Sequence, residues 1–221
     1  QPERAAALEK ETAAQVSASA GVLFTTLAST TRSVIVRTRA LTLAGTGSDD
    51  EFTVHTSSTE RLSGVVVTGG GVVYASVVSR DPLVNGGRVV KLSGAFDFSN
   101  RTTALPDPAV VTSTSVRPTK LCASTVANEL YAAGSTVQGT TRRAALFRIN
   151  LDAVPVEFTP VWVDTDADRE ATACVAVKGG VLVGALVAVS LDEPALGGVG
   201  ELEAAELLAG RDASREVRQR A

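Results

Sequence analysis

The sequence predicts a mainly β protein in which about four antiparallel β-sheets follow one another along the chain. The first observation is a turn followed by an apolar strand, which recurs four times. Its anchor residues lie 50, 57 and 52 residues apart and are Phe24, Tyr74, Tyr131 and Val183. The second observation is the size of this period, because so small a β unit cannot cover its own apolar faces and must stack on neighbours. Together they predict a single repeat domain over residues 1–221.

The third repeat, residues 118–169, shows the expected strands most clearly. A hairpin is predicted from 121–126 and 130–135, with a tight turn between them. Apolar and polar side chains alternate over 145–151, and this period of two indicates a half-buried strand. A fourth strand is expected over 156–163.

Four antiparallel strands in about fifty residues are the plan of a propeller blade. The third repeat therefore resembles a blade of the β-propeller repeat proteins, through its turn, its Leu130-Tyr131 pair and its strand over 146–151. The resemblance is generic and covers residues 60–190. It implies a propeller-like fold, either four-bladed or part of a larger propeller, and a binding or scaffolding surface without chemistry.

The other repeats follow the same order of strands with less regularity. In the first, residues 1–58, strands are predicted at 22–26, 33–40 and 51–55. In the second, residues 59–117, they are predicted at 62–68, 72–78, 88–92 and 94–98. In the last, residues 170–210, they are predicted at 173–177, 181–189 and around Val199, and 211–221 is a polar tail.

The two ends of the chain fit the repeats poorly. Glu3–Val16 and residues 200–220 are rich in Ala, Glu and Leu or Arg, a composition that favours helices. Two helical ends around a β centre indicate an alternative fold, an α+β extracytoplasmic sensor-type domain. A pair of β-sandwiches is a further alternative.

Composition and charge narrow the class of partners. A net charge of −3, from 21 basic and 24 acidic residues, provides no basic face for nucleic acid. No stretch approaches the roughly 18 to 20 apolar residues of a membrane helix. The chain has no Met and starts at Gln1, and Asn100 begins an N-glycosylation motif, Asn-Arg-Thr. We therefore expect a processed, exported glycoprotein.

The two cysteines, Cys122 and Cys174, each lie nine residues before a repeat anchor. This spacing predicts equivalent strand positions in successive repeats, with Val65 as their counterpart in the second repeat. A position shared with valine favours small buried thiols. A disulfide between them is the alternative. It is the less favoured one, because equivalent positions in neighbouring units are often too far apart to bond.

The strongest candidate for a metal site is an acidic segment after the third repeat's last strand. Asp164, Asp166 and Asp168 alternate there, with Glu170 just beyond, and Ca²⁺ prefers such oxygen ligands. Arg169 stands where an EF-hand-like loop has its turning glycine, so a solvated acidic loop is the alternative. No other cofactor is indicated.

Catalytic constellations are absent from the sequence. His55 is the single histidine, and no nucleophile elbow or phosphate-binding glycine loop occurs. We therefore expect no enzyme but a structural or interaction module. Its partners would be other protein subunits or a second fragment of the same precursor. The alternative function is a ligand-binding extracytoplasmic sensor.

Overall fold

A computed structural model describes residues 12–19, 21–39, 49–99, 105, 109–177 and 180–187. Several predictions lie outside these residues: the helix over 200–220, the strand around Val199, the polar tail over 211–221, the glycosylation of Asn100 and the part of the N-terminal helix before Thr12. The described part of the chain contains no helix of the length and apolarity that a membrane span requires.

Four antiparallel sheets follow one another in chain order, and within each sheet every strand pairs with the next along the chain. Sheet 1 contains β1 (Thr12–Ser19), β2 (Val22–Ala28), β3 (Arg32–Arg39) and β4 (Asp49–Thr56). Sheet 2 contains β5 (Glu60–Val67), β6 (Val73–Ser79), β7 (Gly87–Leu92) and β8 (Val111–Ser113). Sheet 3 contains β9 (Val116–Ala123), β10 (Glu129–Gln138), β11 (Thr141–Asn150) and β12 (Phe158–Val163). Sheet 4 contains β13 (Arg169–Val177) and β14 (Gly180–Val187).

Each sheet packs on the one before it. The first strands β5, β9 and β13 each contact the first, second and third strands of the preceding sheet. Alternation along the strands gives every sheet two faces. We call the face toward the preceding sheet the front face and the face toward the following sheet the back face. Three apolar cores result, between sheets 1 and 2, 2 and 3, and 3 and 4.

Every first strand carries an irregularity at the same place in its pairing with the second strand. The one-residue bulges fall at Ala14, Ser63, Thr119 and Thr172. A bulge leaves one residue unpaired and bends the strand, so it fixes the register locally. These four residues therefore identify equivalent positions in the four sheets.

The first strands of sheets 1, 2 and 3 come together around one side chain, that of Gln15. Its Oε1 accepts hydrogen bonds from the backbone N–H of Val65 (3.3 Å) and of Leu121 (3.1 Å). Its Nε2 donates to the Leu121 carbonyl oxygen at 2.5 Å. Gly64 permits this approach, because a Cβ there would lie 2.8 Å from the Gln15 Oε1.

The prediction of a mainly β protein with four antiparallel sheets is confirmed. The predicted N-terminal helix is wrong from Thr12 onward, where β1 begins. Tertiary contacts override helix propensity there. The alternation of β1 places Gln15 and Ser17 against sheet 2, where Ser17 Oγ accepts a hydrogen bond from the Val67 N–H, and leaves Val16 exposed.

The predicted fourth strand of the second repeat, Gly94–Phe98, is also wrong. This segment turns, with Gly94 at φ 69° and the Asp97 N–H donating to the Gly94 carbonyl, and Val111–Ser113 supplies the fourth strand instead. Its alternating Phe96 and Phe98 serve packing and not pairing. Phe96 packs edge-on against Phe24, and Phe98 lies 4.4 Å from the Arg37 guanidinium.

Candidate functional site

The bulges align one pair of residues across all four sheets. The residue three positions after each bulge pairs with a residue of the second strand. The side chains of both residues lie on the back face of their sheet. The four pairs are Ser17 with Phe24, Val66 with Tyr74, Cys122 with Tyr131, and Val175 with Leu182. Three of the four predicted anchors are therefore equivalent, and the fourth is Leu182 in place of Val183.

Burial of these equivalent positions ends abruptly at sheet 4. Phe24 is fully buried against sheet 2, and Tyr74 is 6 % exposed against sheet 3. Val175 is 53 % exposed and Leu182 is 56 % exposed. Phe24, Tyr74, Val175 and Leu182 are all apolar or aromatic, so the difference comes from the neighbouring sheet: no further sheet follows among the residues that the structure describes.

The outer surface of sheet 4 forms a continuous apolar strip, which we call the end face. It consists of the exposed residues Ala173, Val175, Val177, Leu182 and Gly184. No charged side chain belongs to it. Contiguous apolar patches on a protein surface commonly mark interaction sites.

A series of side-chain hydrogen bonds crosses the sheets at the bulges and also stops at sheet 4. The Ser63 hydroxyl donates to the Thr119 carbonyl oxygen at 2.9 Å. The Thr119 hydroxyl in turn donates to the Ala171 carbonyl at 3.1 Å. Thr172 is the next bulge residue, and its hydroxyl makes no hydrogen bond within the described ranges.

Cys122 and Cys174 form a disulfide in the structure, with their Cα atoms 6.0 Å apart. The preferred interpretation of two free thiols is therefore corrected. The bulges at Thr119 and Thr172 show why: the first strands repeat after 53 residues, whereas the cysteines are 52 apart. A shift of one residue moves a side chain to the other face. Cys122 thus lies on the back of sheet 3 and meets Cys174 on the front of sheet 4.

Buried arginines reinforce the inner interfaces by binding backbone carbonyls of the following or preceding sheet. Arg37 of sheet 1 donates to the carbonyl oxygens of Ala95 (3.0 Å) and Asp97 (2.8 Å). Arg117 of sheet 3 donates to carbonyls of sheet 2 and its loops and lies 3.6 Å from the Glu170 carboxylate. Burial lowers the pKa of Arg117, and Glu170 opposes that shift.

The front face of sheet 1 is the counterpart of the end face along β1, where Val16 and Ala18 are exposed, whereas Val34 and Val36 on the same face of β3 are buried. Two positions after each bulge lies a front-face residue: Val16, Val65, Leu121 and Cys174. Val65 and Leu121 are buried against the preceding sheet, whereas Val16 is 51 % exposed. The series of sheets therefore has an exposed apolar position at both ends.

A second candidate site is a cleft of about 380 Å³ at the edge of sheet 2. Hydroxyl, amide and charged side chains line it, and its floor is the ion pair of Glu60 with Arg88. The two guanidinium nitrogens of Arg88 donate to the two carboxylate oxygens at 2.5 and 3.0 Å. That hydrogen bond from Arg88 is the main cause that lowers the pKa of Glu60. The other lining residues are Thr59, Ser79, Val84, Asn85, Gly86, Gly87, Thr112, Ser113 and Thr114.

His55 lies beside this cleft, with its Nε2 3.6 Å from Glu60 Oε2. Burial lowers the pKa of His55, Glu60 opposes that shift, and Arg88 and Arg80 add to it. The imidazole therefore favours its neutral form. Its Nε2 is buried and makes no hydrogen bond within the described part of the chain.

The predicted calcium ligands do not converge. Arg169 lies 3.4 Å from Asp164 Oδ2 and 2.8 Å from Asp166 Oδ2, and Glu170 faces Arg117 instead. Asp168 sits in the left-handed region, at φ 58°. No group of three or more metal-ligating side chains occurs among the residues described. Calcium binding stays a prediction, and the geometry favours a loop held by arginine.

No family model and no curated protein matches this chain.

The end face was not predicted from the sequence, although one signal for it exists. Apart from Thr172 and Cys174, residues 171–177 and 181–187 are all Ala, Val, Leu or Gly, so neither face of these strands is polar. Strands of that composition are usually covered on both sides. In the structure only the front face of sheet 4 is covered.

Proposed function

We propose that the chain is a non-enzymatic interaction module that docks its end face against a further β-sheet of a protein partner. The four sheets would be consecutive blades of a propeller-like arrangement. The observation that carries this proposal is the exposure of Val175 and Leu182, since Phe24, Val66 and Tyr74 at equivalent positions are buried by the next sheet.

The nature of the partner follows from the repeated interface. Three times along the chain, a back face of this kind is covered by the front face of another antiparallel sheet. The interfaces after sheets 2 and 3 combine apolar packing with a hydroxyl donated at the bulge, by Ser63 and Thr119. Thr172 offers the same hydroxyl to an acceptor on the partner. Blades of a propeller are covered by neighbours in this way.

The test is native mass spectrometry of the protein isolated from the cells that make it. We expect a complex with at least one further chain, and we expect the variant Val175→Asp with Leu182→Asp to be monomeric. Val154→Asp is the matched control, because Val154 is an exposed valine far from the end face in sequence. A monomer in the unaltered protein would overturn the proposal.

Export to an oxidising compartment belongs to the same proposal and is supported by the Cys122–Cys174 disulfide, because disulfides persist in such environments. The intact mass of the isolated protein, measured after alkylation with and without a reductant, tests it. We expect both cysteines to resist alkylation until the reductant is added.

A ligand-binding domain is the second candidate function, favoured by the cleft around Glu60 and Arg88. Its hydroxyl-rich lining suits a small polar ligand such as a sugar or polyol, since polar groups that converge in a cleft fix a ligand's orientation. Titration calorimetry with simple sugars, comparing the unaltered protein with Glu60→Gln, tests this function. Absence of binding to both would exclude this ligand class.

A further inference from the structure

We propose that the sheet covering the end face is sheet 1 of a second copy of this chain, so that copies associate head to tail. This inference rests on the proposed function and names its partner. The starting point is that the repeated interface joins a back face to the first strand of the following sheet, and one chain exposes such a back face at sheet 4 and such a first strand at β1. A back face is exposed at sheet 4, and a front-face position is exposed at Val16 of sheet 1.

The disulfide shows how two such faces meet. Cys122 occupies the back-face position three residues after its bulge, and Cys174 occupies the front-face position two residues after its own. Their Cα atoms are 6.0 Å apart. Val175 is equivalent to Cys122, and Val16 is equivalent to Cys174. If a second copy continues the series, its Val16 comes to lie opposite Val175 of the first copy at a similar distance.

The hydrogen bonds at the bulges support the same head-to-tail arrangement. Ser63 donates to the bulge residue of the next sheet, and Thr119 donates to the residue just before the next bulge. The corresponding carbonyls of an incoming sheet 1 belong to Ala14 and Ala13. Thr172 of the first copy would donate its hydroxyl to one of them.

A second copy is preferred over closure within one chain because β1 packs on β5 and has no comparable packing on β13 in the described ranges. Both Val16 and Val175 accordingly stay exposed. A contact between two different faces is heterologous, so each copy leaves one face of each kind for the next copy. Association then ends only where the copies close a ring.

The experiment uses two single-cysteine additions, Val16→Cys and Val175→Cys, in the full chain with its native disulfide intact. Each variant is oxidised mildly, alone and as an equal mixture. We expect a covalent dimer in the mixture and none with either variant alone. Val154→Cys mixed with Val16→Cys is the matched control, and we expect it to give no dimer.

Four results overturn the inference. The first is no dimer in the mixture of Val16→Cys and Val175→Cys. The second is a dimer of Val175→Cys with itself, which would mean that two end faces pair symmetrically. The third concerns one chain that carries both Val16→Cys and Val175→Cys: a monomer that loses two hydrogens on oxidation would mean that sheet 1 covers sheet 4 of its own chain. The fourth is a dimer in the Val154→Cys control as abundant as that in the test mixture, because the cross-link would then be non-specific.

Native mass spectrometry separates failure of this inference from failure of the proposed function. A multiple of the single-chain mass supports both. A complex with a different polypeptide that dissociates in Val175→Asp with Leu182→Asp overturns the second copy and leaves the docking function intact. A monomer at all concentrations overturns both.

Discussion

The two faces of sheet 4 differ in burial, because sheet 3 covers the front face and the back face is exposed. On its front, Cys174 is bonded to sheet 3 and packs in an apolar core with Val181 and Val183. On its back, Val175 and Leu182 are exposed although their chemistry is the same. Burial in this fold is therefore set by the neighbouring sheet and not by the residue itself. Nearest-neighbour interfaces supply most of the stability in stacked repeats, so sheet 4, with one interface and two described strands where the other sheets have four, is expected to be the least stable.

The largest effect that tests this comparison is expected at Gly134, in sheet 3. A Cβ there would lie 1.9 Å from the carbonyl oxygen of Arg117, so Gly134→Ala must displace backbone at the bulge. We expect the free energy of unfolding to fall by about 4 kcal/mol, the upper end of single-residue effects.

Gly184 of sheet 4 is the control for this test, since it also lies beside a bulge and pairs with Ala173. A Cβ there would meet the Cβ of Ala173 at an ordinary 3.5 Å. Gly184→Ala should change the free energy of unfolding by less than about 0.5 kcal/mol. Urea denaturation measures both variants, and equal losses would contradict the idea that the backbone is more crowded at Gly134 in sheet 3 than at Gly184 in sheet 4.

The next effect concerns the covalent link between sheets 3 and 4. Replacing Cys122 and Cys174 together with Ala should lower the free energy of unfolding by about 3 kcal/mol, since the disulfide closes a long loop in the unfolded chain. Because the link ties sheet 4 to sheet 3, hydrogen exchange should accelerate most over residues 169–187. Uniform acceleration across sheets 1 and 2 as well would show that sheet 4 does not unfold as a separate unit.

A smaller effect is expected from alanine substitution of two valines at equivalent register positions, Val66 and Val175. Val66 is buried between sheets 2 and 3, and Val66→Ala should lower the free energy of unfolding by about 2 kcal/mol through lost apolar burial. Val175→Ala should cost less than about 0.5 kcal/mol in the monomer. Both are measured by thermal unfolding at low protein concentration. A similar loss for Val175→Ala would mean that something covers the end face.

Much of the alignment between the four sheets could be predicted from the sequence, and the errors in that alignment share one cause. Phe24, Tyr74 and Tyr131 were correctly aligned because each is a large apolar residue on a second strand. Val183 was one residue off, since Leu182 and Val183 are both apolar and sheet 4 has no polar alternation to decide between them. The same slip of one residue made the two cysteines look equivalent when they lie on facing surfaces.

The remaining errors arise where tertiary contacts overrule local pattern. The alternation of Phe96 and Phe98 reads as a strand, yet these rings pack on sheet 1 and around Arg37. The composition before Val16 favours a helix, yet Gln15 gains partners on sheets 2 and 3 only as part of a strand. The cleft at Glu60 and Arg88 joins residues 28 positions apart and has no local signal at all.

The last and smallest contrast is between two places where the chain passes from one sheet to the next. Before sheet 4, Arg169 lies close to Asp164 and Asp166. Before sheet 2, His55 lies beside the ion pair of Glu60 with Arg88. Burial lowers the pKa of His55 below 6.5, so between the folded and unfolded values the unfolded chain binds more protons. Stability should therefore be fully present above about pH 6.5 and decline as the pH falls through that range.

His55→Gln should remove this decline and leave the loss that Glu60 causes at lower pH. The pKa of Glu60 is lowered by its hydrogen bond from Arg88, so its contribution is present above the unfolded value of 4.5 and is lost as the pH falls below it. Urea unfolding at about pH 7 and about pH 5.5 should give a difference of at most about 1 kcal/mol for the unaltered protein and less for the variant. An unchanged difference in His55→Gln would assign the dependence to groups other than His55.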